Sequence, residues 1–290
     1  MYLFTRGEAA VFVYERDGRF VRSWGERAFS ERAHGITIAP DGSAFCVDDA
    51  DHSVRKFTPD GEPQLVLGTP GRPSDTGYDG AAYATIARAG PPFNRPTNLA
   101  VAPNGDLYVT DGYGNARVHQ FHPDGTLVRS WGAPGGGPGE FRIPHGICVL
   151  PDGRVLVADR ENDRIQLFEA TGTYLDEWRD IQRPTQLCLG PDGLLYVAEL
   201  WWRKGQRSDR FGEITADRYG RVSALRTDGT VVARWGGSAP GTPGGFTAPH
   251  GIAVDSRGDV YVAEVTHTFG VAPGLVPPGG APTLQKLARR

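Results

Sequence analysis

Short apolar runs with a two-residue period recur along the chain, separated by Gly, Pro, Asp and Asn, and this pattern predicts many short β-strands joined by turns. Five stretches align with one another: AHGITIAPDGSAFCVDD from Ala33, PTNLAVAPNGDLYVTDG from Pro96, PHGICVLPDGRVLVADR from Pro144, PTQLCLGPDGLLYVAEL from Pro184 and PHGIAVDSRGDVYVAEV from Pro249. Each reads as an apolar strand, a turn on Asp-Gly or Asn-Gly (Arg-Gly in the last), and a second apolar strand ending in Asp or Glu. The turn glycine supplies the positive φ of a tight hairpin. A third strand follows in SVRKFTPDG, RVHQFHPDG and RIQLFEATG, and a fourth closes on Trp-Gly at Trp131 and Trp235.

Four antiparallel strands per unit, repeating at roughly 40 to 65 residues, describe propeller blades. The N-terminal YLFTRG, AVFVYERDG and FVRSWG, ending at Trp24, supply the later strands of one more unit. The expected fold is therefore all-β, a six-bladed propeller in one domain over 1–290, its first blade lacking the innermost strand. Gly68 to Pro92 reads as an insertion between blades 2 and 3, and WWRKGQRSDRFGEITADRYG after Leu200 as an excursion from blade 5. Both are long enough to overhang a mouth of the ring.

Composition changes this picture little. Gly and Pro make up about a fifth of the chain and are spread throughout it, as turns would be, and not gathered in a linker. A net charge of −3 argues against nucleic acid or an anionic membrane as a partner. No apolar run is long enough to span a bilayer and no signal-peptide pattern opens the chain, so a cytoplasmic monomer is expected. Cys46, Cys148 and Cys188 each fall inside an apolar strand and read as buried free thiols.

The chemistry lies just before the innermost strand. There the repeats read His34, Thr97, His145, Thr185 and His250, so histidine falls on blades 2, 4 and 6, about 120° apart around a six-fold ring. A structural role should serve all five repeats equally, and alternation with threonine does not. Three converging imidazoles make a trigonal face for a divalent metal, with a further position open, as in catalytic zinc sites. His52, His119, His122 and His267 lie outside this register and read as surface or loop residues. Asp49, Asp111, Asp159, Glu199 and Glu264 recur at one strand end and read as structural acceptors. DGYGNARV breaks the repeat, and Gly112 and Gly114 flank Tyr113 in what reads as a loose turn able to aim the phenol at the site. Arg6 and Arg160 leave strand ends at matching places. A metal, a phenol and two guanidiniums together suit removal of a hydroxyl proton from an anionic substrate.

FNRPTNLAVAPNGDLYVTDGYGNARVHQF and WGAPGGGPGEFRIPHGICVLPDGRVLVADRENDRIQLF resemble the catalytic core of the peptidyl-α-hydroxyglycine α-amidating lyases, NHL-type propellers; the resemblance covers nearly the whole chain. It implies zinc on His34, His145 and His250, Tyr113 as catalytic base, and Arg6 and Arg160 as the site arginines. The implied reaction splits R-CO-NH-CH(OH)-COO⁻ into a primary amide and glyoxylate, so the implied partner is a small or peptide-like hydroxylated amide bearing a carboxylate. Gly251, where the family has a calcium-binding Asp, and the missing first strand argue against carrying over its structural calcium. Gly114 stands where the family has a cysteine, so that disulfide is absent. Two other readings fit the blades. A non-catalytic NHL scaffold that binds a protein or peptide predicts no stoichiometric metal. A lactonase-like hydrolase would use Asp, Glu and Asn facing the axis, where this chain has His and Thr.

Overall fold

The computed structural model of the chain describes residues 1–7 and 10–289. Strands and turns dominate it; the helical turns named among the described residues are the short Tyr83–Thr85, Arg160–Asn162 and His267–Val271. Six sheets of three or four strands follow one another along the chain as the blades of an all-β, six-bladed propeller. The chain divides into two compact units, residues 1–154 with 170–173 and residues 155–169 with 174–290.

In the first unit, blade 1 shows three strands among the described residues, Tyr2–Phe4, Val11–Tyr14 and Phe20–Trp24. Blade 2 runs Ala33–Ile38, Ala44–Asp48, Ser53–Phe57 and Pro63–Gly68, and blade 3 runs Pro96–Val101, Leu107–Asp111, Arg117–Phe121 and Leu127–Trp131. Pro144–Val149, the first strand of the fourth repeat, completes this unit. Val47, Val54, Leu67, Phe93, Leu99 and Val109 fill the space between blades 2 and 3. The second unit holds Val155–Asp159, Arg164–Phe168 and Tyr174–Trp178, then blade 5 (Pro184–Leu189, Leu195–Glu199, Arg221–Leu225, Val231–Gly236). It ends with the three strands of blade 6, Pro249–Val254, Val260–Glu264 and Leu284–Leu287.

The tryptophans that close a blade explain the glycines in the outer turns. A Cβ on Gly61 would sit 2.7 Å from Cγ of Trp24, and one on Gly172 or Gly229 would meet Trp131 or Trp178 at 2.7 and 2.6 Å. The outer turn of one blade thus lies flat under the indole of the blade before it, and only glycine leaves room.

The second residue of the innermost strand is a bulge. The pairing register shifts between Ala33 and Gly35, Pro96 and Asn98, Pro184 and Gln186, and Pro249 and Gly251, which leaves His34, Thr97, Thr185 and His250 out of the ladder. A bulged residue re-aims its side chain, which is how this register position presents chemistry while the strand continues.

Pairing also corrects one reading. The carboxylate opposite the start of the innermost strand is Asp48, not Asp49, in line with Asp111, Glu199 and Glu264. These four accept the backbone N–H groups of Ser30, Asn94, Gln182 and Thr247 respectively, the structural role expected of the series. Asp49 is one residue further on and does something else. His119 is likewise no surface residue: it is fully buried in strand Arg117–Phe121, with Nδ1 2.8 Å from Ser130 Oγ. Trp201 and Trp202 are buried as well, and the Trp202 indole N–H donates to Asp163 at 2.7 Å, so they pin the blade 5 excursion into the second unit. All three cysteines are free; Cys46 and Cys148 are buried and Cys188 half-buried.

Candidate metal centre and its tyrosine

His34 and His145 both reach the Tyr113 hydroxyl through Nε2, at 3.0 Å each. The Nδ1 of His34 lies 2.6 Å from the Thr97 carbonyl oxygen. A carbonyl only accepts, so Nδ1 carries the proton. Burial lowers the His34 pKa to about 4; Asp49 and the Thr97 bond oppose the shift, and Arg6 and Arg32 add to it. His34 is therefore neutral near pH 7, and its Nε2 is a lone pair that accepts the Tyr113 O–H. That spends the only phenol proton, so the second contact is a His145 Nε2–H donated to the phenol oxygen. One ring nitrogen of His34 and one of His145 lie within 4.8 Å of each other. Two imidazole nitrogens and a phenol oxygen thus face each other across two protons. Removing those protons leaves the nitrogen-rich donor set that suits a borderline divalent ion such as zinc, so the residues fit such a metal.

The intervening threonines set the histidines. The Thr97 hydroxyl donates to the carbonyl of Pro144, just before His145, at 2.8 Å, and Thr110 holds the His145 carbonyl at 3.0 Å. In the second unit the Thr185 hydroxyl stands 3.0 Å from the carbonyl of Pro249, just before His250. His and Thr alternate because one presents the ring and the other anchors the strand that carries the next ring. Alternation was visible in the sequence; the threonine's part in it was not.

The turn bearing Tyr113 is tight, not loose. A Cβ on Gly112 would fall 2.1 Å from the Pro144 carbonyl oxygen, and one on Gly114 2.2 Å from Asn94 Oδ1. Tyr113 and Gly114 donate their N–H groups to the carbonyls of Arg95 and Asn94 at 3.2 and 3.0 Å. The 68–92 insertion braces the turn from outside, with Thr76 Oγ1 donating to the Gly114 carbonyl at 2.6 Å. The phenol is held in place before any substrate arrives.

Arg6 lies beside this group, its Nε donating to the Ala33 carbonyl at 3.2 Å. Sequence reasoning missed a second arginine, Arg32, whose guanidinium carbon is 5.8 Å from the Tyr113 ring centroid. Asp49, fully buried, accepts from Arg32 Nη2 at 2.9 Å and from Arg95 Nη2 at 2.9 Å. Burial alone would raise the Asp49 pKa, but His34, Arg32 and Arg95 hold it below the ordinary value. In the second unit, Arg160 sits buried in its short helical turn and donates through Nε to Glu161 at 2.8 Å, and Arg183 donates to the same oxygen at 2.8 Å. Burial would raise the Glu161 pKa, and these two guanidiniums keep it low. His250 is half-buried at its bulge. The structure thus brings His34, His145, Tyr113 and Arg6 together in the first unit, and places His250 and Arg160 in the second.

Sequence comparison agrees with this description. The NHL repeat model matches residues 93–121, 141–168 and 246–269. Human NHL repeat-containing protein 3 is 30% identical over 282 residues, covering 91% of this chain and 73% of that protein. The peptidyl-alpha-hydroxyglycine alpha-amidating lyase 1 of Drosophila melanogaster is 30% identical over 286 residues, covering 89% of this chain. The chain spans 47% of that lyase's length. A streptogramin B lyase structure superposes with a TM-score of 0.58 at 17% identity, covering 91% of this chain and 86% of its own, and shares the fold. The chain belongs to the NHL-repeat β-propellers. Within them it is related both to NHL repeat-containing protein 3 and to the amidating lyases.

Proposed function

We propose that the chain is a divalent-metal-dependent carbon–nitrogen lyase that splits a carbinolamide, R-CO-NH-CH(OH)-COO⁻, into a primary amide and glyoxylate. The observation that carries this reading is the Tyr113 hydroxyl held between His34 and His145 Nε2. A phenol for a hydroxyl proton and two imidazoles at one point serve that reaction, and a scaffold has no use for them. The relatives that bear the lyase name support it.

His34, His145 and His250 each offer one imidazole nitrogen and are the proposed ligands. An ion held there, with zinc as the proposed metal, would supply a Lewis acid toward the substrate hydroxyl. Tyr113, once its own proton has been given up on loading of the site, takes the hydroxyl proton. The carbon–oxygen double bond of glyoxylate forms as the carbon–nitrogen bond breaks, and the leaving amide nitrogen takes up a proton. Arg6 and Arg160 favour the substrate's negative charge. The test is product analysis: NMR of α-hydroxyhippurate incubated with zinc-loaded protein should show benzamide and glyoxylate forming in equal amounts. Protein that carries one zinc yet forms neither would contradict the proposal.

A further inference from the structure

The cluster of Arg32, Asp49 and Arg95 carries more charge than a structural clasp needs. One buried carboxylate is shared by two guanidiniums, so the group is net positive; Arg32 stands over the Tyr113 ring, and Asp49 and Arg32 act electrostatically on His34. Asp49 takes Nε and Nη2 of Arg32 as a fork, at 3.1 and 2.9 Å. Arg95 closes on the same carboxylate through Nε and Nη2, and its Nη1 donates to Tyr78 Oη at 3.3 Å. A guanidinium is planar and its donors are fixed relative to one another, so locking one edge fixes the direction of the other. The Nη1 of Arg32 has no hydrogen-bond partner among the described residues, and the side chain is 35% exposed while Asp49 is 0% exposed. A rigid, half-exposed cation beside the reacting phenol is built to meet an anion.

We propose that Arg32 binds the substrate's carboxylate beside the Tyr113 hydroxyl, sharing it with Arg6, and that Asp49 and Arg95 are positioning residues that hold Arg32 in place. This rests on the carbinolamide reading for the substrate's identity, but the anion site is tested without turnover.

The experiment is calorimetric titration of the zinc-loaded full chain with hippurate, a carboxylate probe, and with hippuramide, its neutral counterpart. Arg32→Gln should weaken hippurate binding about 30-fold, roughly what one charge-assisted pair contributes. Hippuramide binding should stay within about twofold, since it has no charge to pair. Arg32→Lys keeps the charge but not the fork and should fall between; it also serves if the glutamine variant does not fold. Wild-type protein that ignores hippurate, a variant that binds it as wild type does, or equal weakening of both probes would overturn the proposal. Selective loss of hippurate binding in a protein that releases no glyoxylate from α-hydroxyhippurate would keep the anion site and remove the lyase reading.

Discussion

The carbonyl oxygen of Thr97 lies 2.6 Å from Nδ1 of His34, and this single contact decides which ring nitrogen faces the site. It fixes the proton on Nδ1, leaves Nε2 as a lone pair, and with burial keeps the ring neutral down to a pKa of about 4. A metal competes with protons for such a nitrogen. Zinc retention should therefore be limited by the other ligands and not by His34, whose ring stays available well below pH 6.5. The same shift acts on folding. Between pH 6.5 and about 4 the unfolded chain takes up a proton that the folded chain refuses, so metal-free protein loses stability as pH falls through that window. His34→Gln should flatten that part of the curve in urea titrations run across pH.

Tyr113 is asked to move a proton, so Tyr113→Phe should lower kcat about 10²- to 10⁴-fold. The zinc content should survive, because both imidazoles keep their other contacts. Atomic absorption beside a steady-state assay separates the two effects, and loss of zinc would reassign Tyr113 to metal retention.

Thr97→Val keeps the volume of a fully buried side chain and removes only the hydroxyl. The Pro144 carbonyl that it serves at 2.8 Å would lose its donor, at a cost of about 1–3 kcal/mol in urea unfolding. Zinc affinity should fall with it, since His145 follows directly, whereas a stability loss with unchanged affinity would limit Thr97 to a structural role.

Gly112→Ala places a methyl 2.1 Å from the Pro144 carbonyl oxygen, and backbone cannot step aside as a flexible side chain would. The expected cost is about 1–3 kcal/mol, as for overpacking elsewhere. Because the turn carries Tyr113, kcat should drop further than the stability change accounts for, with folded protein measured by thermal melts.

The blades were legible because each is a local pattern: a two-residue alternation, a turn glycine, then a closing tryptophan. The alternation of histidine and threonine was legible for the same reason. What the sequence hid depends on partners far along the chain. Nothing near Asp49 announces that it meets Arg95, 46 residues away. The tight packing of Gly112 comes from Pro144 in the next repeat, and so reads locally as freedom. Counting the recurrent acid from the strand end picked Asp49, whereas the ladder from Ala33 to Asp48 shows the shared position to be one residue earlier. The anchoring of Trp202 could not be read locally either, because it depends on Asp163 and Arg183, on turns outside the excursion.

The measurement that bears most directly on the account is glyoxylate release from α-hydroxyhippurate by zinc-loaded protein, run beside His145→Ala. The account predicts glyoxylate from the wild-type chain and none above background from the variant, with zinc lost in parallel. Equal release from both proteins, or a wild-type chain that holds no zinc, would contradict it.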